Sequence, residues 1–129
     1  MILIAERDQG VRALQRFFLE RAGFAVEFAD DGVALVERVN AVRPEAVVTE
    51  ILLPKLDGLT LCRLLHEDPA TSGVPVIVFS VLAAAARAAE AGAYAFLRKP
   101  LVESVFVGTI EEAIAAQATK IKEQQWAPR

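Results

Sequence analysis

The chain has 129 residues, 54% of them apolar and 24% charged, with a net charge of −3. That length suits a single domain able to bury a core without staples, and the lone cysteine, Cys62, leaves no internal disulfide and fits a reducing compartment. The apolar residues come in runs far short of the roughly 18–20 needed to cross a bilayer, and Lys and Arg nowhere cluster as a phosphate-tracking surface requires; neither a membrane span nor direct nucleic-acid binding is expected.

Ile2–Ala5 is wholly apolar, as a strand buried on both faces would be. The chain opens on this run with no basic leader, which points to a cytoplasmic protein. Asp8 can cap a helix running to Ala22, with Val11, Leu14, Phe17 and Phe18 on its inner side and Gly23 as its stop. Phe24–Phe28 alternates apolar and other residues, as at a sheet edge. Asp30 or Asp31 then caps a helix through about Val42, which Pro44 ends. Ala46–Thr49 is the third strand, and Asp57 starts a third helix carrying Leu59, Leu61, Leu64 and Leu65.

Val76–Phe79 is the fourth strand, Leu82–Ala91 an alanine-rich helix stopped by Gly92, and Tyr94–Leu97 the fifth strand. A last helix spans about Val102 to Lys122. Strict alternation of strand and helix predicts an α/β fold: a doubly wound, parallel five-stranded sheet of flavodoxin-like order 2-1-3-4-5, flanked by five helices. The working site of such a sheet lies at the carboxyl ends of its strands.

Those ends carry Glu6, Arg7 and Asp8 after strand one, Glu50 after strand three, Ser80 after strand four, and Lys99-Pro100 after strand five. Together with the run from Val47 to Gly58 and its Leu-Pro-x-x-Asp-Gly turn, this set resembles the receiver domain of response regulators from Ile2 to about Lys122. The resemblance divides the chain into a receiver domain, residues 1–122, and a tail, 123–129. It implies the CheY-like version of the fold and a role in two-component phosphorelay signalling of the bacterial type. In that family Glu50's position holds the aspartate that accepts a phosphoryl group, Ser80 is the switch hydroxyl, and Phe96 is the aromatic rotamer switch. Lys99 holds a phosphoryl oxygen, and the Lys-Pro bond is usually cis.

Two positions depart from the pattern. Glu replaces Asp at residue 50, placing the carboxylate about 1.5 Å farther from the backbone. The acidic pair that helps hold magnesium aligns as Glu6-Arg7, and Arg7 offers no oxygen ligand. Mg²⁺ needs near-octahedral oxygens at about 2.0–2.1 Å, and phosphoryl transfer depends on positioning and cationic stabilisation. No cofactor is therefore expected, beyond weak Mg²⁺ or Ca²⁺ affinity through Glu6, Asp8 and Glu50. An alternative to simple decay of the site is rewiring, with Arg7 paired to Glu50 and Lys99 on its other side.

Blander roles stand beside these. Asp8 can be only a helix cap, Ser80 the end of a strand, Phe96 a packed strand residue, Cys62 a buried thiol and His66 a surface imidazole. The interval from Ser80 to Lys99 is about one helical turn short of the family's. Val105, Phe106 and Val107 cannot all face one core from a helix, so an interaction surface there competes with extra packing.

The leading expectation is a non-phosphorylatable pseudo-receiver, not an enzyme, that binds a signalling protein through the fourth helix, fifth strand and fifth helix, or pairs as a homodimer. The runner-up is an active phosphorelay receiver taking phosphate from a histidine kinase onto an unconventional carboxylate. A flavin- or nucleotide-binding protein would need a Gly- or hydroxyl-rich loop after strand one, where Glu6-Arg7-Asp8-Gln9 stands instead.

Overall fold

A computed structural model describes residues 1–125. The strands are β1 (Ile2–Ala5), β2 (Val26–Ala29), β3 (Ala46–Thr49), β4 (Val76–Ser80) and β5 (Ala95–Arg98). The helices are α1 (Gln9–Arg21), α2 (Gly32–Val42), α3 (Gly58–Glu67), α4 (Ala85–Glu90) and α5 (Glu103–Gln125). The strands form one sheet in the order β2-β1-β3-β4-β5, and every pairing is parallel. This is the flavodoxin-like arrangement that the alternation predicts.

The wholly apolar strands lie in the middle of the sheet because helices cover both of its faces. On one face Leu3, Ala5 and Val47 meet Leu35 and Val39 of α2 and Leu61, Cys62 and Leu65 of α3. On the other, Ile2, Ile4, Val48, Ile77 and Phe79 meet Leu19 of α1 and Phe106, Ile110 and Ala113 of α5. Phe106 is thus a core residue, 1% exposed. The expected surface of Val105, Phe106 and Val107 reduces to an exposed Val105 beside a half-buried Val107. With Phe106 pointing inward, the 100° step of the helix turns its neighbours away.

Two helices differ from their expected form. Leu14 and Phe17 of α1 are exposed, and Gln15 and Leu19 are its fully buried residues. Apolar spacing marks a stripe Leu14–Phe17–Phe18, but the sheet surface takes the stripe centred on Gln15 and Leu19. Helix α4 begins three residues later than the alanine pattern suggests, with Ala84 at its N-cap and no side-chain cap. Strand β2 also starts late: Gly23 adopts φ 94°, and the Phe24 N–H donates to Leu19 O at 2.9 Å, finishing α1 instead of entering the sheet.

Gln15 is 0% exposed, and neither its Nε2 nor its Oε1 has a hydrogen-bond partner. Leaving buried polar atoms unpaired costs about 1–3 kcal/mol. Gln15→Met, of similar length and without those atoms, is expected to raise stability by about 1 kcal/mol. The check is a higher urea midpoint at unchanged slope; an unchanged or lower midpoint refutes it.

Candidate functional site

Parallel strands deliver their carboxyl ends to one edge, so Glu6, Glu50, Ser80 and Lys99 arrive together from β1, β3, β4 and β5. The Glu50 N–H donates to Ala5 O at 2.9 Å, and the Lys99 N–H to Ser80 O at 2.9 Å, tying neighbouring ends to each other. Gly58 closes the loop behind Glu50: a Cβ there would lie 2.0 Å from Glu50 O, so only glycine fits. The Lys99-Pro100 bond is cis, as the resemblance implies.

Both oxygens of the Glu50 carboxylate have partners. Its Oε1 accepts the Ser80 hydroxyl and the Ile51 N–H at 2.7 Å, while Lys99 Nζ lies 2.8 Å from Oε2. The same ammonium lies 2.9 Å from Glu6 Oε1 and 3.1 Å from Oε2. The aligned hydrogen bond is the one to Oε2, and Oε1 receives charge without an aligned donor. Glu6 Oε2 also accepts the N–H groups of Arg7 and Asp8, at 3.0 and 3.1 Å. Both carboxylates are withdrawn from water, with Glu6 2% and Glu50 6% exposed.

Burial pushes the Glu50 carboxyl up, but hydrogen bonds from Lys99, Ser80 and the Ile51 N–H, with the Lys99 charge, outweigh it and hold the group below its ordinary 4.5. For Lys99 burial acts downward, and the hydrogen bonds and charges of Glu50 and Glu6 prevail, raising it above 10.5. Glu50 and Lys99 are therefore both ionised throughout the neutral range, as a buried ion pair.

The Arg7–Glu50 pair offered as the alternative to simple decay does not form. Arg7 is exposed and has no ion pair among the described residues, and Lys99 occupies the place beside Glu50. Asp8 is also exposed, its Oδ1 accepting the Val11 N–H at 3.0 Å as the cap of α1. Among the described residues no group of three or more His, Cys, Asp or Glu is arranged to hold a metal ion. The Lys99 ammonium lies against both Glu6 and Glu50, and the third acid, Asp8, caps α1.

Phe96 is half-buried against the cluster of Ile51, Val78, Ala84 and Ala88, just behind the Glu50 loop. Cys62 is buried, its Sγ 3.6 Å from Ala91 O, and burial pushes the thiol up to about 11; it is a packed, inert thiol. His66 is an exposed residue in the last turn of α3. Sequence reasoning missed Arg12, whose side chain donates to Glu6 O and, at 3.2 Å each, to Ala29 O and Asp30 Oδ1. It clamps the loop after β1 to the end of β2, a long-range role with no signal in local spacing.

Fold and strand-end constellation together define a receiver. The profile of the family described as "Response regulator receiver domain" matches residues 2–111, and the chain belongs to that family. It is 35% identical over 116 residues to the transcriptional regulatory protein CseB of Streptomyces coelicolor, covering 88% of this chain and 48% of that protein. It is 35% identical over 102 residues to the response regulator MprA of Mycobacterium leprae, covering 77% and 44%. The chain thus spans about half the length of these curated relatives.

Among solved structures, a signal receiver domain of a signal transduction histidine kinase from Syntrophus aciditrophicus superposes with TM-score 0.83 at 28% identity, covering 89% of each chain. A sensor protein from Polaromonas gives 0.82 at 26%, covering 90% of this chain and 96% of that one. No helix of the described residues is long and apolar enough to cross a membrane.

Proposed function

We propose that this receiver works without phosphorylation, as a protein-binding module of a two-component pathway. The observation that carries this reading is the closed state of Glu50: its two oxygens already hold the Ser80 hydroxyl and the Lys99 ammonium. In the family those two groups receive a phosphoryl group. Here a longer carboxylate reaches both unaided, so the side chain imitates part of the reach and charge of a phosphorylated aspartate.

Transfer onto Glu50 is disfavoured on two grounds. The carboxylate is displaced from the aspartate position, and misplacement by about 1 Å can cost on the order of 10²-fold in rate. Both of its oxygens also already hold donors, Oε1 the Ser80 hydroxyl and Ile51 N–H and Oε2 the Lys99 ammonium. Output passes through the surface of α4, β5 and α5, where Val102 and Val105 are 53% and 51% exposed, to a signalling protein or a second copy of the chain.

An amide NMR titration with Mg²⁺, then with Mg²⁺ and beryllofluoride, tests the reading. The expected result is no saturable shift at Glu6, Glu50, Ser80 or Lys99. Saturable shifts there that spread to Phe96 and α4 overturn it in favour of a phosphate-accepting receiver, the reading that the retained Ser80 and Lys99 support. For that alternative, a phosphate donor must add the mass of a phosphoryl group, and Glu50→Gln must abolish the gain.

A further inference from the structure

At the opposite end of the sheet from Glu50, α3, the start of β4, the loop before β5 and α5 line a half-open pocket of about 310 Å³. Small-molecule sites run from roughly 300 to 1,000 Å³. Its polar lining consists of His66, Ser72, Tyr94, Gln117 and Lys120, above a floor that includes Val74, Pro75, Val76 and Ala93. No carboxylate lines it, unlike the grooves beside α1, which hold Glu103 and Glu111 or Glu27. Lys120 has no ion pair, and the Tyr94 hydroxyl no hydrogen bond, among the described residues; Tyr94 is 45% exposed.

Two of the lining side chains are seated by missing side chains opposite them. Gly92, at φ 92°, lies so close to His66 that a Cβ would stand 2.3 Å from the imidazole Cγ. Gly73 faces Gln117, whose Nε2 would lie 3.0 Å from a Cβ there. The imidazole and the amide are thereby set against bare backbone at the cavity wall, which reduces the freedom they would lose on gripping a ligand. A hydroxyl, an amide, an imidazole and an ammonium thus share one pocket with a small apolar lining and no carboxylate.

We infer that this cavity binds a small oxyanion-bearing molecule, with Lys120 and Tyr94 gripping the anionic group and the Val74–Val76 floor taking a short apolar body. The site is remote from the Glu50 cluster and independent of whether that cluster accepts phosphate.

The full chain is titrated separately with sodium benzoate, inorganic phosphate and the neutral benzyl alcohol, following amide and side-chain shifts by NMR. Saturable shifts at His66, Gly92 and Tyr94, half-complete below about 10 mM, are expected for at least one anion and not for the alcohol. Benzoate alone identifies an apolar carboxylate as the ligand class, phosphate alone a phosphate-bearing one. Lys120→Gln, on the exposed side of α5, should fold normally and weaken binding about tenfold. No saturation by either anion, equal binding of the alcohol, or unchanged affinity in Lys120→Gln overturns the assignment.

Discussion

Lys99→Met is expected to be the most damaging single substitution at the strand ends, costing about 3–5 kcal/mol of stability at neutral pH. Its ammonium lies within 3 Å of both Glu6 and Glu50, and the side chains of all three are 14% exposed or less. Removing the cation leaves two buried anions facing each other, and the loss of one partner of a buried pair costs more than the pair was worth. The effect has a pH sign. Lys99's raised pKa means that its contribution is complete below its unfolded value, near 10.5, and disappears only as pH rises through the higher folded one. At neutral pH the whole contribution is therefore at stake. Urea unfolding of the variant checks this, and adding Glu50→Gln and Glu6→Gln to it should restore much of the loss. A cost below about 1 kcal/mol would mean that water reaches the carboxylates and the cluster is no more than a surface ion pair.

Glu50→Gln carries the second large effect, expected at about 2 kcal/mol near neutrality, the scale of hydrogen bonds to a charged group. A glutamine can still accept from Ser80 and the Ile51 N–H, but it turns an amide N–H or a neutral oxygen toward Lys99. The sign for the wild type follows from a depressed carboxyl. Its contribution is present above the unfolded value of about 4.5 and is lost as pH falls through the lower folded one. The gap in stability between wild type and variant should therefore be full at pH 7 and shrink on acidification below that window. Urea midpoints across the acid range measure it. A gap that stays constant would assign the loss to packing, leaving no role for ionisation.

Much of this was legible from local chemistry. Asp8, Asp31 and Asp57 each accept from backbone N–H groups as the helix caps that their positions predict. Ala46–Thr49 is a buried strand with the predicted bounds. Periodicity failed where several apolar residues competed for one face. On α1 a glutamine went inward while Phe17 remained outside, because register against the sheet, not apolar content, set the orientation. On α5 the inward residue of Val105-Phe106-Val107 is the one that packs on Phe79 of β4 on the sheet face that α5 covers, the two rings 5.9 Å apart. Arg7 and Lys99 divide the site in the same way: composition offered both cations to Glu50, and strand order supplied Lys99.

The sequence by itself determined which residues stand at the strand ends, because short apolar strands alternating with capped helices admit few topologies. It also determined the substitution of glutamate for aspartate, on which the functional reading turns. Only the tertiary structure decided what that glutamate does. Its side-chain partners come from the ends of two other strands, Ser80 and Lys99, and Lys99 in turn holds Glu6 from a third; no local pattern encodes contacts between segments that meet only when the sheet closes.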